Sequence, residues 1–214
     1  MLTSGLVALG VGLVTLAMTR PLLRWLPEPA DAPDKRPYRD LSSVGFLAVC
    51  GLVSAAATLL AGWGLPRPIQ PMWWVLSSVG VVLAAIDART TWLPLRLTQL
   101  GWGLMAVGAL SGPLWGGTWR MVLYAGVGAA AAGLLYLVVW LVSRGGFGFG
   151  DVRFAPLLGA ATAAQSWSMM WSTLILGTLI GAGHGLVRLL RRQPGGFPYA
   201  PSMLAGAYLA CWWV

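Results

Sequence analysis

The sequence predicts an all-α fold, a polytopic bundle of transmembrane helices with about eight spans and both termini on the outer face. Three observations carry this. Hydrophobic residues make up 57% of the chain and charged residues 9%, with a mean hydropathy of +0.74, which is not the composition of a soluble globular domain. Uncharged runs recur along the whole chain, and nearly all are long enough to cross a hydrocarbon core of about 30 Å, which takes roughly 20 helical residues. The basic residues gather between these runs, at alternate ends. Short alternating segments of the kind that build a transmembrane barrel are missing.

Taken in order, run 1–19 is the first span. Its charges, Arg20 and Arg24, follow the apolar stretch instead of preceding it, so it reads as a retained helix and not as a cleavable signal. The longest hydrophilic stretch is about Pro27 to Asp40. No soluble domain is therefore expected: 1–214 reads as one membrane-embedded domain with a cytoplasmic loop at about 24–40. Runs 41–66, 68–86, 97–119 and 121–143 supply the second to fifth spans. Run 154–187 is too long for one span and has a polar break at Gln165–Ser168. Split there, it gives two helices of about 17 residues, roughly 25 Å each. Run 193–214 is the last span.

The positive-inside rule tests this register. With the amino terminus outside, only Arg67 and Arg120 of the fourteen Lys and Arg fall on the outer face. Counting run 154–187 as one span would throw Arg188, Arg191 and Arg192 outside. The net charge of +8 thus marks topology, and no nucleic acid is expected as a partner. Membrane lipid is. Cys50 and Cys211 stand singly inside apolar runs with no CxxC spacing, so they read as small packing residues, and no metal site is expected.

Beyond residue 40 the acidic side chains are Asp87 and Asp151. A carboxylate at a membrane boundary is costly to desolvate and marks a functional site by default. Asp87 ends the third span. Asp151 follows Gly145, Gly146, Gly148 and Gly150, a stretch read as a loop whose flexible backbone can be approached closely and can take positive φ, ending where the sixth helix begins. The helix dipole favours a negative charge at Asp151 and disfavours one at Asp87. The charge pattern places both at the cytoplasmic ends of their helices, so they can meet and share a proton, one acting as base on water while the other polarises a peptide carbonyl. The plainer alternative is a pair of interfacial ion pairs, Asp87 with Arg89 and Asp151 with Arg153.

The string "GFGFGDVRFAPLLGA", with Gly148-x-Gly150-Asp151, resembles the signature of the bacterial type IV prepilin peptidases, GxGD-type intramembrane aspartic peptidases. "AAIDARTTWLPLRLT" resembles their other catalytic stretch through Asp87, Arg89 and Pro94, and "FPYAPSMLAGAYLA" is similar to the Pro-rich approach to their last helix. The likeness runs from about residue 80 to the end. It implies that Asp87 and Asp151 are catalytic, that Gly148 and Gly150 support them, and that the protein lies in the bacterial inner membrane. The substrate implied is a pilin or pseudopilin precursor, a transmembrane helix with a basic leader. Type IV pilins, tight-adherence pilins and type II secretion pseudopilins are equally compatible. No cofactor is implied for proteolysis. S-adenosylmethionine belongs only with N-methylation, an activity of long-form members whose first loop has paired CxxC motifs. Here that loop, "RWLPEPADAPDKRPYRDL", has no cysteine, and Leu95 follows the proline where the family often has an acid or amide.

Other residues carry two readings. Arg153 is a helix-end topology residue or a substrate contact. His184 is read as an interhelical hydrogen-bonding residue in preference to a catalytic one. Gly177, Gly181 and Gly185 share one face at spacing four and suit close helix packing. Trp73, Trp74, Trp167, Trp171, Trp212 and Trp213 read as an interfacial belt. The first loop mixes Glu28, Asp31, Asp34 and Asp40 with Lys35, Arg36 and Arg39, as a solvated loop or as an acidic surface for a basic leader. The competing function is a proton- or cation-coupled transporter using Asp87 and Asp151. It expects internal repeats and sites at the bilayer midplane, and neither is evident.

Overall fold

The computed structural model describes residues 2–28, 36–144, 147–193 and 196–213. Asp31, Asp34 and Lys35 of the first loop, and Gly145 and Gly146 of the glycine stretch, lie outside them. Among the described residues the chain forms eight helices and no strand. They are α1 (Leu2–Trp25), α2 (Val44–Gly64) and α3 (Arg67–Thr90), then α4 (Leu95–Ser111) and α5 (Trp119–Ser143), and finally α6 (Phe149–Ala163), α7 (Trp167–Leu190) and α8 (Ala200–Trp213).

The molecule is a helical membrane bundle. Five helices, α1, α2, α3, α5 and α7, are long and apolar enough to cross a membrane. The other three are shorter, with 17 residues in α4, 15 in α6 and 14 in α8. At 1.5 Å per residue α6 is about 22 Å long. The long run 154–187 does break at its polar segment: α6 stops at Ala163, and the Ser166 hydroxyl caps α7 by accepting from Met169 N at 3.0 Å.

Three sequential pairs, α1/α2, α5/α6 and α7/α8, make the closest helix contacts. Each is built on missing side chains. A Cβ on Gly12 of α1 would stand 2.8 Å from the Ala55 Cβ of α2, one on Gly159 of α6 would stand 2.6 Å from the Ala132 Cβ of α5, and Gly206 of α8 lies directly on Gly177 of α7. With no hydrophobic force between helices in lipid, such backbone approach supplies the packing energy. The glycine face of α7 packs as its spacing predicts, since Gly177 meets Met203, Gly181 meets Tyr199 and Gly185 meets Phe197.

The central element is α3, packed against α1, α2, α4, α6 and α8. Its middle opens into a wider turn at Leu76–Gly80. There the Ser77 carbonyl accepts from the Ser54 hydroxyl of α2, and the Ser77 hydroxyl meets Tyr208 OH of α8 at 2.7 Å. Such π-type turns leave carbonyls for side chains to satisfy. Trp73 is corrected from the interfacial belt to the core. It is fully buried, its indole N–H donates to Ala161 O at 3.3 Å, and its ring meets Tyr208 edge-on. A lone buried Trp finds a hydrogen-bond partner in this way. Trp171 and Trp212 are exposed. Cys50 is buried and Cys211 partly so, and both are free thiols.

Candidate active site

Asp87 occupies the last turn of α3. That helix is stopped by Thr91, which takes the left-handed conformation (φ 54°) and donates its N–H to Asp87 O at 2.7 Å. The chain then turns through Leu93, which is buried, and Pro94 starts α4. Asp151 lies in the first turn of α6, with its N–H on Gly148 O at 3.1 Å.

Both carboxyls are buried, Asp87 to 5% exposure and Asp151 to 7%, and each lies within reach of the other's field. One contact ties their elements together, and a second brings in the start of α8. Gly150 abuts Leu93, so that a Cβ on it would stand 2.9 Å from the Leu93 Cβ. Ala200 N, the first amide of α8, donates to Asp87 Oδ2 at 3.0 Å. The end of α3 and the starts of α6 and α8 therefore converge at one end of the bundle. Asp151 Oδ1 is buried there without a hydrogen-bond partner. A buried polar atom left unmatched is expensive, and a catalytic role is one of the reasons for which a protein keeps one.

Of the two properties expected of the glycines, the site uses close approach at Gly148 and Gly150 and not positive φ. Gly148 caps α6 with φ −71°, ψ 130°, and Gly150 is already inside the first turn. Among the described glycines only Gly116 has positive φ. What the site uses is space: a Cβ at Gly148 would stand 3.0 Å from Asp151 Oδ2, and one at Gly150 would press on Leu93.

Three aromatic rings from separate elements close over this end. Tyr136 of α5, Phe147 before α6 and Tyr199 before α8 have centroids 5.6, 6.4 and 5.1 Å apart, and Tyr136 lies within the field of Asp151. Tyr199 OH donates to Thr178 Oγ1 at 3.2 Å. Sequence reasoning assigned none of Leu93, Tyr136, Phe147, Tyr199 or Ala200 to the site. The three stretches that carry the resemblance hold four of them, Leu93, Phe147, Tyr199 and Ala200.

The Arg153 guanidinium stacks over Phe149 at 4.6 Å, and Phe149 in turn packs on Trp140 at 5.0 Å. The ion pair of Asp151 with Arg153 is thus not formed. Arg89 is exposed. The interhelical hydrogen bond expected of His184 is replaced by an edge-on contact of its exposed ring with Phe197 at 5.6 Å. In the first loop Glu28 and Arg39 pair at 3.2 Å, both well exposed. No group of His, Cys, Asp and Glu among the described residues is placed to hold a metal ion.

The profile of the type IV leader peptidase family matches residues 74–186, which span α3 to α7 and contain both aspartates. The chain is 32% identical over 74% of its length to a Bacillus subtilis protein named prepilin leader peptidase/N-methyltransferase, of which it covers 62%. Proteins of the same name from Aeromonas hydrophila and Pseudomonas aeruginosa are 29% and 26% identical over 94% and 83% of the chain, which covers 68% of each. No solved structure matches. With more than half its length inside the family profile, this chain belongs to the type IV leader peptidase family.

Proposed function

We propose that this chain is a multi-pass aspartic endopeptidase of the bacterial cytoplasmic membrane that removes the basic leader of pilin-like precursors, with Asp87 and Asp151 as the reacting pair. The observation that carries this is the convergence of two buried carboxyls from different helices at one end of the bundle, one with an unmatched oxygen, in a chain of this family.

The chemistry follows from the pair. One carboxylate takes a proton from water as the water oxygen bonds to the scissile carbonyl carbon, and the other, protonated, donates to the carbonyl oxygen. Collapse of the tetrahedral intermediate breaks the C–N bond and passes a proton to the departing nitrogen. One water is consumed, and a carboxylic acid and an amine leave. Gly148 and Gly150 keep room for the Asp151 carboxyl and for its approach to the α3–α4 turn. Arg153, held over Phe149, is assigned to substrate backbone carbonyls, because it would repel the charge of a basic leader.

The site is assigned to the cytoplasmic face, with both termini outside, on the charge pattern of the loops. Type IV pilins, tight-adherence pilins and type II secretion pseudopilins all belong to the proposed substrate class, with the leader presented at that face. The names of the relatives also include a methyltransferase. The crevice of about 560 Å³ around Ser4, Thr58, Arg67 and Gln70, and the apolar groove of about 790 Å³ between α4 and α5, are lined by no carboxylate. No step is assigned to S-adenosylmethionine. Both carboxyls lie at one edge of the bundle, which also disfavours an ion-transport reading.

Co-expression with pilin and pseudopilin precursors, followed by mass spectrometry of the mature amino terminus, tests the proposal. Leader removal is expected, and the same spectrum reports whether the new terminus carries a methyl group. Intact precursor in every pairing would contradict it.

A further inference from the structure

The contact between Asp87 and α8 reaches beyond the stretch matched by the family profile, which ends at residue 186. Ala200 is fully buried and its N–H donates to Asp87 Oδ2 at 3.0 Å. Resting on the reading of Asp87 and Asp151 as the reacting pair, we infer that the Ala200 backbone amide is a positioning group for Asp87, which pins one carboxyl oxygen so that the other faces Asp151 and the scissile bond.

The first amides of a helix have no partner within that helix and point out along its axis. Ala200 is the first residue of α8, so its N–H is free to be aimed at another element. An N–H can only donate, which makes Oδ2 an acceptor. The bond favours the unprotonated form at Oδ2 and so directs a proton held by the pair to the other Asp87 oxygen or to Asp151, and it sets the plane of the Asp87 carboxyl. Hydrogen bonds from a backbone N–H to a carboxylate are among the stronger ones.

The amide is itself held in place from behind. Tyr199 O accepts from Ser202 N and Met203 N at 3.0 and 3.1 Å, which starts the helix. The Tyr199 hydroxyl is tied to Thr178 of α7, and its ring lies against Phe147 and over Gly181. Gly177 lets Met203 and Gly206 settle on α7. The glycine face of α7 thus acquires a second consequence: it sets how far α8 reaches toward α3, and so where the amide meets Asp87.

The test removes the N–H with little change of shape, although the Tyr199 carbonyl, as part of an ester, becomes a weaker acceptor for Ser202 N and Met203 N. Incorporating lactic acid, the hydroxy-acid counterpart of alanine, at position 200 during cell-free synthesis into nanodiscs turns that amide into an ester. With a purified pilin precursor as substrate, kcat is expected to fall about tenfold to a hundredfold, the range for misplacing a reacting group, while KM stays within twofold. Ala200→Gly, which retains the N–H, is expected to lose less than threefold in kcat. Tyr199→Phe, which frees the anchor to Thr178 without touching the amide, should lose a few-fold in kcat with KM kept. An ester variant of normal kcat, a loss confined to KM, or an Ala200→Gly as impaired as the ester would each overturn the inference. Asp87→Asn in the same assay separates the two levels. If it is inactive while the ester is normal, only the positioning role fails. If it is active, the underlying assignment of the pair fails.

Discussion

Gly150 lies against Leu93 so closely that a methyl group on it would stand 2.9 Å from the Leu93 Cβ. That contact seats the start of α6 on the turn that follows Asp87. Gly150→Val should therefore force the two elements apart. Overpacking of this kind costs about 1–3 kcal/mol, and expressed in the geometry of the pair it should lower cleavage by about tenfold to a hundredfold. Gly103 of α4 faces open space, so Gly103→Ala should leave cleavage unchanged. Precursor-processing rates for the two variants check this, and equal rates would remove the packing account of Gly150.

Phe149 is held between the Arg153 guanidinium and the Trp140 ring. An exposed cation–π contact is worth about 0.5–1 kcal/mol. A double-mutant cycle of Phe149→Leu and Arg153→Met, read by unfolding in detergent, should show a coupling of that size. Cleavage by Phe149→Leu should fall far less than by Gly150→Val. Additive single mutants would mean that the stack contributes nothing.

The helix ends, the break before Ser166 and the packing face of Gly177, Gly181 and Gly185 were legible because each has a side-chain signature: a loss of apolar character, a hydroxyl cap, a spacing of four. The two aspartates were legible because a carboxylate in an apolar chain is conspicuous. Ala200 was not, since its contribution is a backbone amide that any residue but proline would present. Trp73 was misplaced because burial depends on which face of α3 meets α6 and α8, and α3, surrounded on all sides, has no polar face to reveal its orientation. His184 was misread for a related reason. Its helix face looks outward, and only the fold of the Phe197 segment decides what the ring touches.

Orientation can be checked by labelling. In a Cys50→Ala/Cys211→Ala background, Arg89→Cys and Gln193→Cys lie at the aspartate end, and Thr118→Cys lies at the other. All three positions are exposed. An impermeant maleimide added to intact spheroplasts should label position 118 and spare 89 and 193. The reverse pattern would invert the topology and place the pair on the wrong side for a cytoplasmic leader.

The most direct measurement is precursor cleavage by Asp87→Asn, Asp151→Asn and the double variant, each confirmed at wild-type level in the membrane. Asn preserves the volume of the side chain and much of its hydrogen bonding, but it cannot serve as base or share a proton. Groups that act as one unit are not additive in their loss. All three variants should be inactive, with the double no worse than either single. Substantial cleavage by either single variant would contradict the assignment of the pair.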